Sequence, residues 1–331
     1  MNQDLLVRLF RSIEGEATDD IVRVAEKIIV DEESKGHIKL AGKLKSILNQ
    51  NIQSYGSFKK ELNTILPSNV TIPTDNRFKI PLAEVIQRDC LRHEMVLSQD
   101  IEHKILRIEK EYVARERLAK YGLKPKQKIL LYGAPGCGKS MAAERIAWNV
   151  GLPFLKVRFE AVISSYLGES ASNLKKLFQS LEHYPCVLLL DEFDFIAKAR
   201  GEGNDVGEMH RLVNMLLGLL EDYQSEGILI ATTNLNGIID NALFRRFDEI
   251  IEMPKPEPVE VQRLLKSSLA AFTLSKDVKL NSTSEKMTGF SAAAIVKIAR
   301  DAAKSCVIEG KQIIEQRHLD SALKENAFFN K

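Results

Sequence analysis

No pair of cysteines stands at metal-ligand spacing, no apolar run approaches the thickness of a bilayer, and neither sign of charge predominates in these 331 residues. The four cysteines, Cys90, Cys137, Cys186 and Cys306, form no C-x-x-C pair. That argues against a metal-binding ribbon and a small disulfide scaffold, and leaves reduced thiols. The longest apolar stretches fall far short of the ~20 residues that span a membrane. The segment MNQDLLVRLFRS has neither a long apolar core nor a small-residue cleavage site, so no signal peptide is expected, and the cytoplasm is the expected compartment. Lys plus Arg number 47 against 45 Asp plus Glu, a formal charge of +2. A dedicated nucleic-acid binder usually carries a larger or more clustered basic excess.

What is present has the composition of a globular protein, 44% hydrophobic and 28% charged, with length for two or three domains. The first zone, residues 1–75, repeats apolar residues at helical spacing: Leu5, Leu6, Leu9, Phe10 and Ile13, then Ile21, Val24, Ile28 and Ile29, then Leu40, Ala41, Leu44, Ile47 and Leu48. It reads as a small helical domain, a candidate for binding a partner or substrate. Its end is a polar, proline-containing stretch from Pro67 to Asn76 that looks like a linker. The second zone, 76–254, alternates short apolar strands with helical patterns. Its strands are Lys128–Tyr132, Phe154–Phe159, Cys186–Leu190, Gly227–Thr233 and Glu249–Met253. Five such strands with intervening helices predict an α/β fold, a doubly wound parallel sheet. The third zone, 255–331, follows the break Pro254-Lys-Pro-Glu-Pro258 and reads as a small all-helical domain, with Ser291 as an N-cap.

Two motifs carry chemistry. Gly133, Ala134, Pro135, Gly136, Cys137, Gly138, Lys139 and Ser140 match G-x-x-x-x-G-K-[ST], between an apolar strand and a helical pattern that opens at Met141. That context is what a phosphate-binding P-loop requires. Its backbone amides and the helix N-terminus face an anion, the lysine reaches the outer phosphates of ATP, and Ser140 offers a hydroxyl to Mg²⁺. The second motif is Val187-Leu-Leu-Leu-Asp191-Glu192. A buried strand brings two carboxylates to its C-terminal end, where ligands bind in such sheets. Asp191 would hold Mg²⁺ and Glu192 would activate the attacking water. On residues alone, Asn234 at the end of ILIATTN reads equally as a water-positioning group or a turn asparagine. Arg245 and Arg246 read equally as phosphoryl-stabilising groups or surface charges. Tyr166, Leu167 and Gly168 read as an ordinary connecting loop.

Taken together, these segments resemble the AAA subfamily of AAA+ P-loop ATPases over about residues 95 to 325. The resemblance implies a P-loop α/β core with a helical lid and a homo-oligomer, a hexameric ring when ATP is bound. It makes Asn234 the sensor 1 residue, and Arg245 and Arg246 the arginine fingers acting on a neighbouring subunit. The adjacent pair is more similar to that of katanin and spastin than to the spaced pair of double-ring unfoldases. It also makes Tyr166-Leu167-Gly168, followed by Glu169-Ser170, the pore loop that grips a threaded polypeptide. Two departures stand out: Cys137 where the family has Thr, and Gly289-Phe-Ser-Ala-Ala-Ala294 where it has G-x-S-G-A-D.

The resemblance favours an ATP-hydrolysing protein that remodels, unfolds or disassembles a protein partner. Two alternatives stay open: a nucleotide-gated module controlling a companion enzyme such as a protease, and a nucleic-acid-handling ATPase or helicase loader. The near-zero charge disfavours nucleic acid, and no membrane partner is expected.

Overall fold

The computed structural model describes residues 28, 29, 32, 37, 40–49, 72–75, 78–163, 169–182, 184–193, 206–234 and 244–327, with side chains from 214 in the segment that starts at 206. The chain divides into two units, Met1–Val70 and Thr71–Lys331. In the first, residues 40–49 are helical. Ala41, Leu44 and Leu48 recur every three or four residues and bury against Ile29, the stripe expected of an amphipathic helix.

The second unit starts inside the expected linker. Asp75 is buried. Its carboxylate accepts the backbone N–H groups of Phe78 at 2.7 Å and Ile80 at 2.5 Å. This fold of the chain leads into β1 (Ala83–Ile86), followed by α1 (Gln99–Val113) and α2 (Arg115–Ala119). The central elements are β2 (Lys128–Tyr132), α3 (Lys139–Val150), β3 (Phe154–Val157), α4 (Phe159–Val162), α5 (Glu169–Ser180), β4 (Val187–Leu190), α6 (Val206–Asp222), β5 (Ile228–Thr233) and β6 (Glu249–Glu252).

The sheet order is β1-β3-β4-β5-β2-β6. Five strands run parallel, as the apolar pattern predicts. The sixth, β1, adds an antiparallel edge to β3. Its sequence, AEVI, is too short and half-polar to stand out before the chain is folded. Both β4 and β5 are buried along their whole length, which explains their near-continuous aliphatic composition. Each leucine buried there contributes about 2 kcal/mol. The expected strand over Phe154–Phe159 stops at Val157. There Arg158 O accepts the N–H groups of Ala161 and Val162, both at 3.0 Å, and begins the turn of α4.

Within the same unit, the segment where a lid is expected comprises α7 (Pro258–Ser268), β7 (Thr273–Leu274), α8 (Leu280–Lys286), α9 (Ala292–Ile308), β8 (Ile313–Ile314) and α10 (Gln316–Glu325). Pro258 opens α7, where its missing N–H costs nothing, and Glu257 and Glu260 form a capping box. Ser291 caps α9, its hydroxyl accepting Ala294 N–H at 3.3 Å. To the expected helices the structure adds a two-stranded parallel pair, β7 with β8. Val261, Leu265, Met287, Ile295, Ile298 and Leu319 form the lid's own core. Among the described residues no helix is long and apolar enough to cross a membrane.

Candidate functional site

Parallel pairing of β2, β4 and β5 brings their C-terminal ends side by side. The loop after β2, the carboxylates after β4 and Asn234 after β5 therefore converge on one edge of the sheet. Nothing in their sequence separation requires this; the strand order does.

The loop from Gly133 to Gly138 needs its glycines. At Gly133, φ is +141° and a Cβ would lie 2.3 Å from Met253 O. At Gly136, φ is +76° and a Cβ would come within 2.8 Å of Ser291 Oγ. A side chain at either position would push apart the loop and what packs on it. Gly138, also left-handed, starts α3 without a side-chain cap. The first bond into that helix runs from Ala142 N–H to Gly138 O at 2.9 Å, so the preceding amides find no carbonyl acceptor within the helix. This is the arrangement that accepts an anion.

Lys139 is buried, and its ammonium donates to Gly133 O at 2.8 Å, Ala134 O at 2.9 Å and Asn234 Oδ1 at 2.8 Å. Three donors meet three acceptors. The sequence-predicted lysine and asparagine, 95 positions apart, are thus in direct contact.

Asp191 lies beside them. Its Oδ1 accepts Ser140 Oγ at 2.8 Å and Thr232 Oγ1 at 2.6 Å. Its Oδ2 pairs with Lys156 Nζ at 2.6 Å. Burial pushes this carboxyl up, but the bonds from Lys156, Thr232 and Ser140 outweigh it and hold it below the usual carboxylate range. Glu192 has φ +54°, a left-handed conformation that costs a non-glycine residue about 1–2 kcal/mol. Its N–H donates to Thr232 Oγ1 at 3.1 Å, and Phe193 N–H donates to Thr232 O at 2.8 Å. One buried threonine thus holds both carboxylate residues. The strained turn leaves the Glu192 side chain exposed while Phe193 is buried.

Sequence reasoning missed Thr232 and Lys156. Each sits inside an apolar strand and resembles strand filler. The available signal was position: Thr232 is two residues before Asn234, and Lys156 is a cation between two apolar residues of an apolar strand.

A cavity of about 1480 Å³ opens over this cluster, lined by Pro135 to Met141, Asp191, Glu192 and Asn234. Its other walls include Met95 and Val96 before α1, and Leu264 and Val296 of the lid. The lid reaches the loop directly, since Ala293 N–H donates to Gly136 O at 3.0 Å. The altered 289–294 segment therefore still touches the phosphate loop, through backbone. Cys137 is buried. Burial raises its thiol above the usual range, Lys139 only partly opposing, so it is poorly suited to act as a reactive thiolate. The segment before α1 is clamped to α3. Arg92 N–H and Nε both donate to buried Glu144 at 2.9 Å, and Arg145 pairs with Glu102.

Arg245 and Arg246 do not line this cavity. Arg246 is tied to Glu221, at the end of α6, at 2.7 Å. Arg245 is exposed and makes no ion pair with a described residue. Tyr166, Leu167 and Gly168 lie outside the described residues.

The sequence pattern of the AAA family, the ATPases associated with various cellular activities, matches residues 129–255. A protein of Sinorhizobium fredii (strain NBRC 101917 / NGR234) named "Uncharacterized AAA family ATPase y4kL" is 35% identical over 312 residues, covering 93% of this chain and 91% of its own length. The chain belongs to the AAA family. It is an AAA ATPase, and the matched segment contains the loop, both carboxylates and Asn234. The residues fit the nucleotide an AAA domain binds: an uncapped helix N-terminus for phosphate, a buried ammonium beside it, and apolar walls for a base. They also fit Mg²⁺. This cation typically takes one or two carboxylates with substrate phosphates, and Ser140 and Asp191 already converge here.

Proposed function

We propose that this ATPase works as a ring of identical subunits, hexameric when ATP is bound, and uses hydrolysis to remodel a protein partner. Within one subunit, Lys139 leaves the carbonyls of Gly133 and Ala134 to bind the outer phosphates of ATP. Asn234, now released from the lysine, orients the attacking water, and Glu192 takes its proton. Ser140 and Asp191 would hold Mg²⁺, which when bound would neutralise phosphate charge. Arg245 acts on ATP held by the next subunit, a role that suits its exposure and its distance from its own cavity.

The observation that carries the remodelling reading is the path of β3. Its Lys156 is paired to Asp191 at the phosphate site. A few residues on, the chain passes through α4 into 164–168, the segment of Tyr166, Leu167 and Gly168. The far side of that segment is anchored, with Ser170 and Asn173 buried in the first turns of α5. A strand whose C-terminal end both touches the nucleotide site and leads toward an aromatic-bearing segment can turn hydrolysis into movement of a gripped polypeptide.

The test uses Glu192→Gln, which should keep ATP binding, lose turnover by about 10²–10⁴-fold, and hold partner proteins for identification by mass spectrometry. Tyr166→Ala should then keep basal ATPase activity but lose work on the captured partner. Unchanged remodelling by Tyr166→Ala would overturn the threading role. A partner that is itself an active enzyme, switched by ATP binding alone, would favour the nucleotide-gated module instead.

A further inference from the structure

Both oxygens of Asp191 are engaged, and by different kinds of group. Oδ1 accepts two neutral hydroxyls, Ser140 Oγ and Thr232 Oγ1. Oδ2 meets a full positive charge, Lys156 Nζ at 2.6 Å. The two partners differ in freedom. Asp191 is 14% exposed on its side chain and fixed at the end of a buried strand. Lys156 is 41% exposed, and its long stem can carry the ammonium into water without moving β3. A lysine ammonium is a compact point charge, a geometry closer to a metal ion than the planar fork of arginine. Two like charges held on one carboxylate repel each other.

We propose that Lys156 is a resident stand-in for the divalent cation: a positioning residue that neutralises Asp191 from its Oδ2 side while the site lacks metal, and whose charge opposes a metal arriving on the Ser140 side. The inference rests on the assignment of Asp191 and Ser140 to Mg²⁺ above. In the metal-free protein, Lys156 keeps the Ser140–Asp191–Thr232 cluster in place, and through Thr232 it steadies the strained turn of Glu192. Its charge is then a cost of metal binding, relieved as the stem carries the ammonium into water, so the Mg²⁺ concentration needed to support nucleotide binding is set higher than Asp191 alone would require. The effect is a threshold: nucleotide is held productively only when Mg²⁺ outcompetes the lysine.

Full-length protein is titrated with Mg²⁺ at fixed concentration of a fluorescent, slowly hydrolysed ATP analogue. Lys156→Met and Lys156→Gln should each lower the Mg²⁺ midpoint about fivefold, the scale of a partly exposed ion pair, while Lys156→Arg keeps it near the wild-type value. Thermal unfolding supplies a second readout. The neutral variants should melt below wild type without metal, and the gap should close when Mg²⁺ and the analogue are both present. A midpoint unmoved in both neutral variants, or a melting deficit that persists with Mg²⁺ and nucleotide, overturns the role of Lys156. Wild-type affinity that ignores Mg²⁺ overturns instead the assignment of Asp191 on which it rests.

Discussion

The phosphate edge and the arginine corner sit in the same α/β unit, yet they are built on opposite plans. At the phosphate edge Lys139 and Asp191 are both answered within the chain, Lys139 by two carbonyls and Asn234, Asp191 by Ser140, Thr232 and Lys156, and Glu192 stands exposed beside them. At the corner, Arg246 is answered by Glu221, but Arg245 is left in solvent. Buried polar groups demand partners because desolvation is expensive, whereas an exposed guanidinium is stable without one. A preassembled cluster suits binding and chemistry inside a subunit. An uncommitted arginine suits a partner that arrives from outside, which here is the proposed neighbouring subunit.

The sharpest way to break this contrast is to mutate the two arginines separately. Arg245→Ala should reduce ATPase activity by about 10³-fold, the scale of a phosphoryl-stabilising arginine, with nucleotide affinity and melting temperature unchanged. Arg246→Ala should instead destabilise the fold by about 1 kcal/mol, since it removes an ion pair with a half-buried member. Mixing Arg245→Ala with Lys139→Ala subunits should recover activity, read as phosphate release. No recovery, or identical phenotypes of the two arginine variants, would end the distinction drawn between them.

A smaller effect sharpens the phosphate side. Thr232→Val keeps shape but removes the hydroxyl that links Asp191 Oδ1 to Glu192 N–H. It should lower kcat about tenfold, corresponding to roughly 1.4 kcal/mol, with little change in KM for ATP, and Thr232→Ser should restore most of it. An equal loss in the serine variant would point to packing rather than to the hydrogen bonds.

The smallest effect is on the pH dependence of stability. Hydrogen bonding from Arg145 lowers Glu102, and the bonds to Asp191 hold it low against its burial. A carboxylate depressed in the folded state contributes stability that is full above its unfolded pKa, near 4, and is lost as pH falls through its folded value. Asp191→Asn should therefore melt lower at neutral pH, with the gap from wild type shrinking below about pH 4. A gap independent of pH would show that the bonds around Asp191 do not depend on its charge.

Several features were legible before folding because their cause is local. The P-loop spacing, the aliphatic runs of β4 and β5, the capping role of Ser291 and the proline break before the lid each follow from backbone geometry or burial within a short window. The contact between Lys139 and Asn234 was not legible, and neither were the threonine and lysine partners of Asp191. The edge strand β1 and the β7–β8 pair escaped for a related reason: strands of four and two residues gain stability only from the neighbour they pair with.

What the sequence by itself determined, then, is which backbone can wrap a phosphate and which residues can do the chemistry. That follows because glycine conformation and side-chain chemistry are properties of the residue. The tertiary structure alone decided which of those residues meet. It put β3, β4, β5 and β2 side by side, set Lys156 against Asp191 across 35 positions of sequence, and parted Arg245 from Arg246. Distance in the chain says nothing about distance across a parallel sheet, whose strand order is set by crossovers and by the burial of both faces at once.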